Sequence, residues 1–445
     1  MGDSEPSAGC ASAAVLPSRP MLDPRALADR RDEIAENCRL RGVSVDIDAA
    51  VAAHERVTAH QTALNDRNRS RNEHQKSGRK NLSPEEREAH VAEGRRLKES
   101  VGEIEEQLAG LQAGLNELLA AIPNFAHPDS PVGGEEDFRV LRTIGEPRRF
   151  DFAPRDHLEI AERLDLVDFE SGAKVSGQKF YYLKNEAVLL DMALQRYALD
   201  LVTAEGFTPF ITPDLARRDI VDAMAFSPRD AATQIYSVAD SDLDLIGTAE
   251  ITLGGLYQGE LVDESELPIR LAGVSHCYRT EAGSAGRESK GLYRVHQFSK
   301  VEMFVLARPE DSATLHDEIV AIEEKIFQGL EIPYRVIDVA VGDLGAPAYR
   351  KFDIEAWMPG RGESGDYGEV TSASNCTDFQ ARRLRARFRR AASKKNEHLH
   401  TLNGTAIAVT RTMIPLLENH QHSDGSIAIP KALQPYMGLE RIGPR

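Results

Sequence analysis

Long apolar runs are missing from this chain of 445 residues, and no stretch could cross a bilayer as a helix. Cysteine is scarce: Cys10, Cys38, Cys277 and Cys376 stand alone, with no CxxC pair. That spacing suits neither a zinc site nor a disulfide framework, so no zinc is expected, and a reducing, cytoplasmic setting is the simple reading. Aromatic residues make up 6% of the chain and tryptophan occurs once. Basic charge is in deficit: 54 Lys and Arg face 71 Asp and Glu, a net charge of −17. This argues mildly against nucleic acid as a partner, but local patches decide docking. The first twenty residues have neither the basic start nor the apolar stretch of a signal peptide, and Asp3 and Glu5 sit badly in a transit peptide. Residues 1–20 are expected to form a disordered extension, with the working protein beginning near Met21.

What is present reads as a soluble globular protein of two domains, or one large domain with an appendage. Residues 24–41 have a helical pattern, stopped at Gly42. A long Ala-, Glu- and Arg-rich stretch follows from about Asp46 to Ile122, almost without aromatics. Within it, Leu97, Val101, Ile104, Leu108, Leu111, Leu115, Leu118 and Ile122 recur at alternating steps of four and three, a heptad seam. Ser83, Pro84, Glu85 and Glu86 form a helix start in front of it. A helix from Pro84 to Ala121 would be roughly 57 Å long at about 1.5 Å per residue. A weaker seam passes through Ala50, Val57 and Leu64, and a polar turn at residues 76–81 separates the halves. The pattern suggests an antiparallel two-helix coiled coil, with two helices packed on the main body as the alternative. Arg67, Arg69, Arg71, Lys76, Arg79 and Lys80 make its tip basic, either a phosphate-binding patch or a solvated surface.

Prolines and loop residues from Ile122 to about Gly134 break this pattern, and the remainder mixes helices with long antiparallel strands, an α+β class. Helix is expected over 185–205, a short strand over 207–211, and β-rich runs over 269–278 and 293–306. Four segments there carry chemistry. The first is the hairpin from Arg279 to Phe298, with glycines that let backbone approach a polyanion, a guanidinium to fork onto phosphate, and a flat ring. The second, Asn403-Gly404-Thr405-Ala406, is read as a glycine turn opening a helix. Arg411 early on that helix serves a ligand or is a surface arginine. The third, Gly368 to Asn375, places Glu369 and hydroxyls on a strand, suited to Mg²⁺ beside phosphates or simply a polar edge strand. The fourth combines Thr248-Ala249-Glu250 with Glu302, able to hold an ammonium and a small polar side chain.

Together these segments resemble the signature motifs of class II aminoacyl-tRNA synthetases, and most closely the bacterial and organellar seryl-tRNA synthetases. Gly206 to Pro213 resembles motif 1, Arg279 to Glu302 motif 2 and Asn403 to Gln421 motif 3, and the likeness runs from Met21 to Gly443. The resemblance implies a helical tRNA-binding arm over 21–125 and a catalytic domain over 126–445. It implies ATP-dependent conversion of L-serine to seryl-adenylate, then transfer to the 3′ end of tRNA(Ser), or tRNA(Sec) where present, bound across a homodimer. Arg279 would hold the ATP α-phosphate and meet serine's carboxylate, with Thr280 beside it. Glu281 would read the adenine amino group, and Val295, His296, Gln297 and Phe298 would line the adenine slot. Glu369, Val370, Thr371 and Ser372 would contact ATP, with Glu369 and Ser372 also holding Mg²⁺, and Arg411 would hold the far end of the triphosphate. Thr248, Ala249, Glu250, Glu302, Asn403 and Thr405 would bind serine.

Two departures stand out. The family usually has Asn-Gly-Ser-Gly where this chain has Asn403-Gly404-Thr405-Ala406, and often glycine where it has Thr410. The extra methyl of Thr405 makes this the place to expect a tighter or re-aimed pocket. Two other functions fit the same motifs: a paralogue that supplies seryl-tRNA or seryl-adenylate to biosynthesis, and a non-catalytic RNA-binding paralogue.

Overall fold

The computed structural model describes residues 24–78, 82–226, 234–282 and 290–444. The expected extension over 1–20, Arg79, Lys80 and the loop 283–289 lie outside the described residues. The chain divides into two units, residues 48–120 and residues 21–47 with 121–445.

The smaller unit contains two helices: most of α2 (Ile47–Ser77) and all of α3 (Pro84–Ala120), of 31 and 37 residues. Ser83 and Glu86 close a reciprocal capping box at the start of α3. The helices run antiparallel: His74 stacks on His90 at 3.8 Å, and its Nε2 lies 2.8 Å from the His90 carbonyl oxygen. Val57, Leu64, Leu97, Val101 and Leu115 are buried along the seam, but near its end Leu119 is buried in place of Leu118. A straight α-helix drifts from a strict heptad repeat, and the inward position moves on by one residue.

The larger unit is built on an eight-stranded sheet: β1 (Arg139–Ile144), β2 (Thr208–Ile211), β3 (Ile269–Tyr278), β4 (Gln297–Ala307), β5 (Tyr334–Asp338), β6 (Arg350–Met358), β7 (Asp366–Thr377) and β8 (His400–Ala408). Their order is β1-β5-β6-β7-β8-β4-β3-β2, antiparallel except for the β2–β3 pair. β4 begins at Gln297, four residues later than the apolar pattern suggests. The segment with Glu369 and Ser372 belongs to β7, an inner strand of the sheet order, and pairs there with β6 while the β8 ladder ends at Ala373, so it is not an edge strand of the sheet.

One face of the sheet packs on α4 (Glu186–Ala204) and α6 (Ser312–Gly329), with α5 (Ala249–Gly255) and α7 (Val409–Asn419) at β3, β4 and the end of β8. Residues 187, 190, 194 and 198 of α4 form one buried apolar stripe. Gly206 (φ 87°) ends the α4 region in a conformation that glycine takes freely. Leu315, Ile319, Ile322 and Ile326 do the same on α6 and join Leu402, Ile407, Met413 and Leu417 in the main core.

Asn403-Gly404-Thr405 departs from the expected local structure. This is not a glycine turn: all three residues lie inside β8, and α7 starts at Val409. Glycine is needed at 404 because side chains of α6 press against its backbone, and a Cβ there would collide with Ile319. That requirement comes from packing across the sheet and mimics a turn in a one-dimensional reading.

Before β1, α1 (Arg31–Leu40) also belongs to the larger unit. Arg41, at its end, is 1% exposed, and its guanidinium donates to the carbonyls of Asn124, Leu344, Gly345 and Ala348. Asn124 in turn donates to Pro347 and Cys376 carbonyls.

Candidate active site

Residues from six elements meet over the open face of the sheet in a cavity of about 340 Å³. It is lined by Thr248, Glu250, Arg279, Phe298, Lys300, Glu302, Lys351, Glu369, Ser372, Asn403, Thr405 and Arg411, and walled by Gly345, Pro347 and Ala348. Alternation explains the set. Side chains two apart on a strand share a face, so Phe298, Lys300 and Glu302 project together from β4, and Asn403 and Thr405 from β8.

At one end lies a carboxylate–hydroxyl cluster. Lys300 is buried and pairs with Glu302 at 2.5 Å, while its Nζ donates to the Thr248 hydroxyl at 2.7 Å. The Thr405 hydroxyl donates to the same Glu302 oxygen at 3.0 Å. Glu250 accepts from Gln380 at 2.6 Å and from Asn403 at 2.9 Å. Burial, with Glu302 close by, pushes the Glu250 carboxyl up to about 7, against the smaller opposing effects of Gln380, Lys300 and Arg279. The cluster therefore holds one carboxylate already neutralised by a lysine and a second that lacks a cation of its own. A ligand ammonium would complete it.

The rest of the lining includes two arginines, Arg279 and Arg411, and the acid Glu369. The Arg279 guanidinium lies over the rings of Phe226 and Phe298, at 5.5 and 5.4 Å. Arg411 lies over Tyr293 at 4.9 Å and pairs with Glu369 at 3.0 Å. Burial alone would raise the Glu369 carboxyl, but Arg411, Lys351, Arg279 and Arg294 outweigh it and bring it to about 2, so it is ionised. Glu281 pairs with Arg294 at 3.4 Å and shares an adjoining cavity of about 290 Å³ with Arg279 and Phe226.

Not every expected site residue faces the cavity. Ala249 is buried at the start of α5, and Val295 is buried just ahead of β4. His296 stacks on Phe180, while its carbonyl and ring bracket the Arg279 backbone. Gln297 pairs with Tyr278 at the strand end, and Thr280 bonds through its backbone to Gln234. Val370 and Thr371 do border the cavity, although the Val370 side chain packs into the core and Thr371 gives its hydroxyl hydrogen to the Thr405 carbonyl. Of the expected basic tip, Arg67, Arg69, Arg71 and Lys76 lie on α2, with Arg69 paired to Asp66.

Several residues of this site escape the motif reading. Lys300 was recoverable from its i−2 spacing to Glu302 on a strand. Gln380, Phe226 and the Arg41–Asn124 pair behind the 344–348 wall carry no sequence signal, since each reaches the site across a long chain separation.

A mainly antiparallel sheet with an arginine-flanked cavity on one face defines the catalytic core of class II aminoacyl-tRNA synthetases. Residues 236–420 accordingly match the family model of the tRNA synthetase class II core domain (G, H, P, S and T). Residues 21–126 match the Seryl-tRNA synthetase N-terminal domain, and the chain belongs to the seryl-tRNA synthetase family. The serine–tRNA ligase of Treponema denticola is 50% identical over 424 residues, covering 95% of this chain and 100% of that one. That of Rubrobacter xylanophilus is 52% identical, covering 95% and 99%. Among solved structures, the seryl-tRNA synthetase of Pyrococcus horikoshii complexed with ATP matches with a TM-score of 0.85 at 39% identity, covering 96% of this chain and 100% of that one.

Proposed function

We propose that this protein activates L-serine with ATP and transfers the seryl group to the 3′ end of tRNA(Ser). The observation that carries this reading is the joining, in one cavity, of an ammonium- and hydroxyl-reading cluster to an arginine-rich phosphate site.

Serine would enter with its ammonium between Glu250 and Thr248 and its hydroxyl toward Thr405 and Glu302. Ammonium binding favours the ionised form of Glu250, which burial otherwise disfavours. ATP would stack its base on Phe298, with Glu281 at the amino group, its α-phosphate on Arg279 and its far phosphates on Arg411. A serine carboxylate oxygen then attacks the α-phosphorus, the bond to the bridging oxygen breaks, and pyrophosphate leaves. Arg279 sits where negative charge builds up, so catalysis rests on positioning and preset charge rather than on an enzyme nucleophile. A terminal ribose hydroxyl of tRNA then attacks the seryl carbonyl carbon and AMP departs.

Among the described residues no cluster of three or more His, Cys, Asp or Glu could hold a metal unaided. The hard oxygen donors of ionised Glu369 and of Ser372 fit Mg²⁺ shared with phosphate oxygens. Bound there, Mg²⁺ would neutralise phosphate charge. The arm over residues 48–120 would grip tRNA through its basic tip, and charging would take place across a homodimer in the cytoplasm. No described helix is long and apolar enough to cross a membrane.

ATP–pyrophosphate exchange across serine, threonine, alanine and glycine tests the reading. Serine should exceed the others by at least about 100-fold, because buried polar groups are left unpaired by alanine and glycine. Faster exchange with another of the four would overturn it.

A further inference from the structure

Beneath the cavity, on the far side of the sheet, Glu323 of α6 is fully buried at 0% exposure, and neither of its carboxyl oxygens meets a hydrogen-bond partner. It sits at a defect in the ladder. Pairing between β7 and β8 runs from Thr377–Thr401 to Ala373–Gly404 and stops there. Beyond that point the Thr405 carbonyl takes its hydrogen from the Thr371 hydroxyl instead of from a backbone amide. The missing Cβ of Gly404 makes room for the acid, since a carbon there would stand 2.9 Å from a Glu323 oxygen.

We infer that Glu323 is a neutral carboxylic acid that positions Thr405 for serine recognition, by donating its hydrogen to Thr371 beneath the open end of the ladder. This rests on the serine reading of the cavity. Counting hydrogens supports it. Thr371 has one hydroxyl hydrogen and gives it to the Thr405 carbonyl, and Thr405 gives its own to Glu302. The Thr371 oxygen is left to accept, and a protonated Glu323 can supply the hydrogen. An ionised Glu323 would instead be a buried anion whose neighbouring hydroxyl, Thr371, has already given its hydrogen to the Thr405 carbonyl, a costly arrangement.

The surroundings favour the neutral form. The charged groups whose fields reach Glu323 are Glu302 on β4, itself paired with Lys300, Asp353 on β6 and Glu324 on its own helix. β7 offers the hydroxyl of Thr371, and the Tyr197 hydroxyl of α4 bonds to the Ile326 carbonyl on the same helix as Glu323. Burial first, then Glu302, hold the Glu323 carboxyl well above the usual carboxylate range, with Thr371 opposing slightly. Glu323 touches no substrate in this scheme. It is a positioning residue, acting through Thr371 on the carbonyl of the residue whose hydroxyl faces the pocket.

Two variants test it by serine-dependent ATP–pyrophosphate exchange, with KM measured separately for serine and ATP. Glu323→Met keeps the volume and removes the hydrogen. Its serine KM should rise about tenfold, the size of one well-placed hydrogen bond, while ATP KM stays within about twofold. Glu323→Gln retains an N–H donor and should match the wild type on both. A purely structural role predicts a Met variant with unchanged serine KM, and that result overturns the inference. Equal rises in both constants, or a Gln variant with a raised serine KM, overturn it too. Because the Gln variant stands alone, the inference stays testable even if the Met variant does not fold. Wild-type protein without serine-dependent exchange would sink the serine reading itself, a different outcome from an active wild type with an indifferent Met variant.

Discussion

Glu250 is expected to weaken the ligand-free fold in order to bind serine, and Glu250→Gln separates the two effects. Its carboxyl moves from an ordinary 4.5 to about 7 on folding, through burial and the proximity of Glu302. At about 1.4 kcal/mol per tenfold change this corresponds to about 3 kcal/mol. The group lines an open cavity, where solvent screening cuts the figure to about 1–2 kcal/mol. The sign follows from proton counting. Between pH 4.5 and 7 the unfolded chain has lost this proton and the folded one keeps it, so stability falls as pH rises through that window. Above about pH 7 the full penalty applies. Glutamine mimics the neutral acid and can still accept from Gln380 and Asn403. The variant should therefore be more stable than wild type at pH 8, by about 1–2 kcal/mol in urea unfolding, and nearly equal at pH 4.5. Serine-dependent exchange should drop at least about 100-fold, since the ammonium loses its anion. A variant less stable than wild type at pH 8, or a gain equal at both pH values, would refute the electrostatic argument.

Other outcomes follow from the same geometry. Arg279→Ala should abolish serine-dependent exchange, and near-normal exchange would overturn its role at the α-phosphate. Replacing residues 48–120 with a short flexible linker should leave exchange within a few fold while tRNA charging is lost; charging that survived would mean that the arm is not the tRNA grip. Chelation of divalent metal should stop exchange, with recovery on adding Mg²⁺, and exchange that persisted in excess chelator would refute the assignment to Glu369 and Ser372. Arg41→Met should strand four carbonyls and cost at least about 3 kcal/mol, read as a lowered denaturation midpoint.

The parts that could be read from the chain were those written in local periodicity. The heptad seam and the Ser83–Glu86 start announced α3, and Arg279, Glu369 and Arg411 meet in the cavity as their motifs suggested. What failed was set by contacts distant in sequence. Gly404 looked like a turn because nothing near it reveals Ile319 and Glu323 pressing from the opposite face. Val295 sits inside a motif yet is buried ahead of β4 and outside the cavity lining, whereas Val370 borders the cavity while its side chain packs into the core. Gln380 and Asn124 bind the site together with no motif of their own.

The clamp at Arg41 also has a practical meaning. Residues 21–47 precede the arm in the chain but belong structurally with the wall of the cavity, where Arg41 holds the 344–348 segment from behind. The arm is thus an insertion between two parts of one body rather than a prefix to it. A shortened protein beginning at Ala121 would not be a smaller synthetase awaiting its arm. It would be one with a missing keystone, whereas excision between residues 47 and 121 leaves the keystone in place.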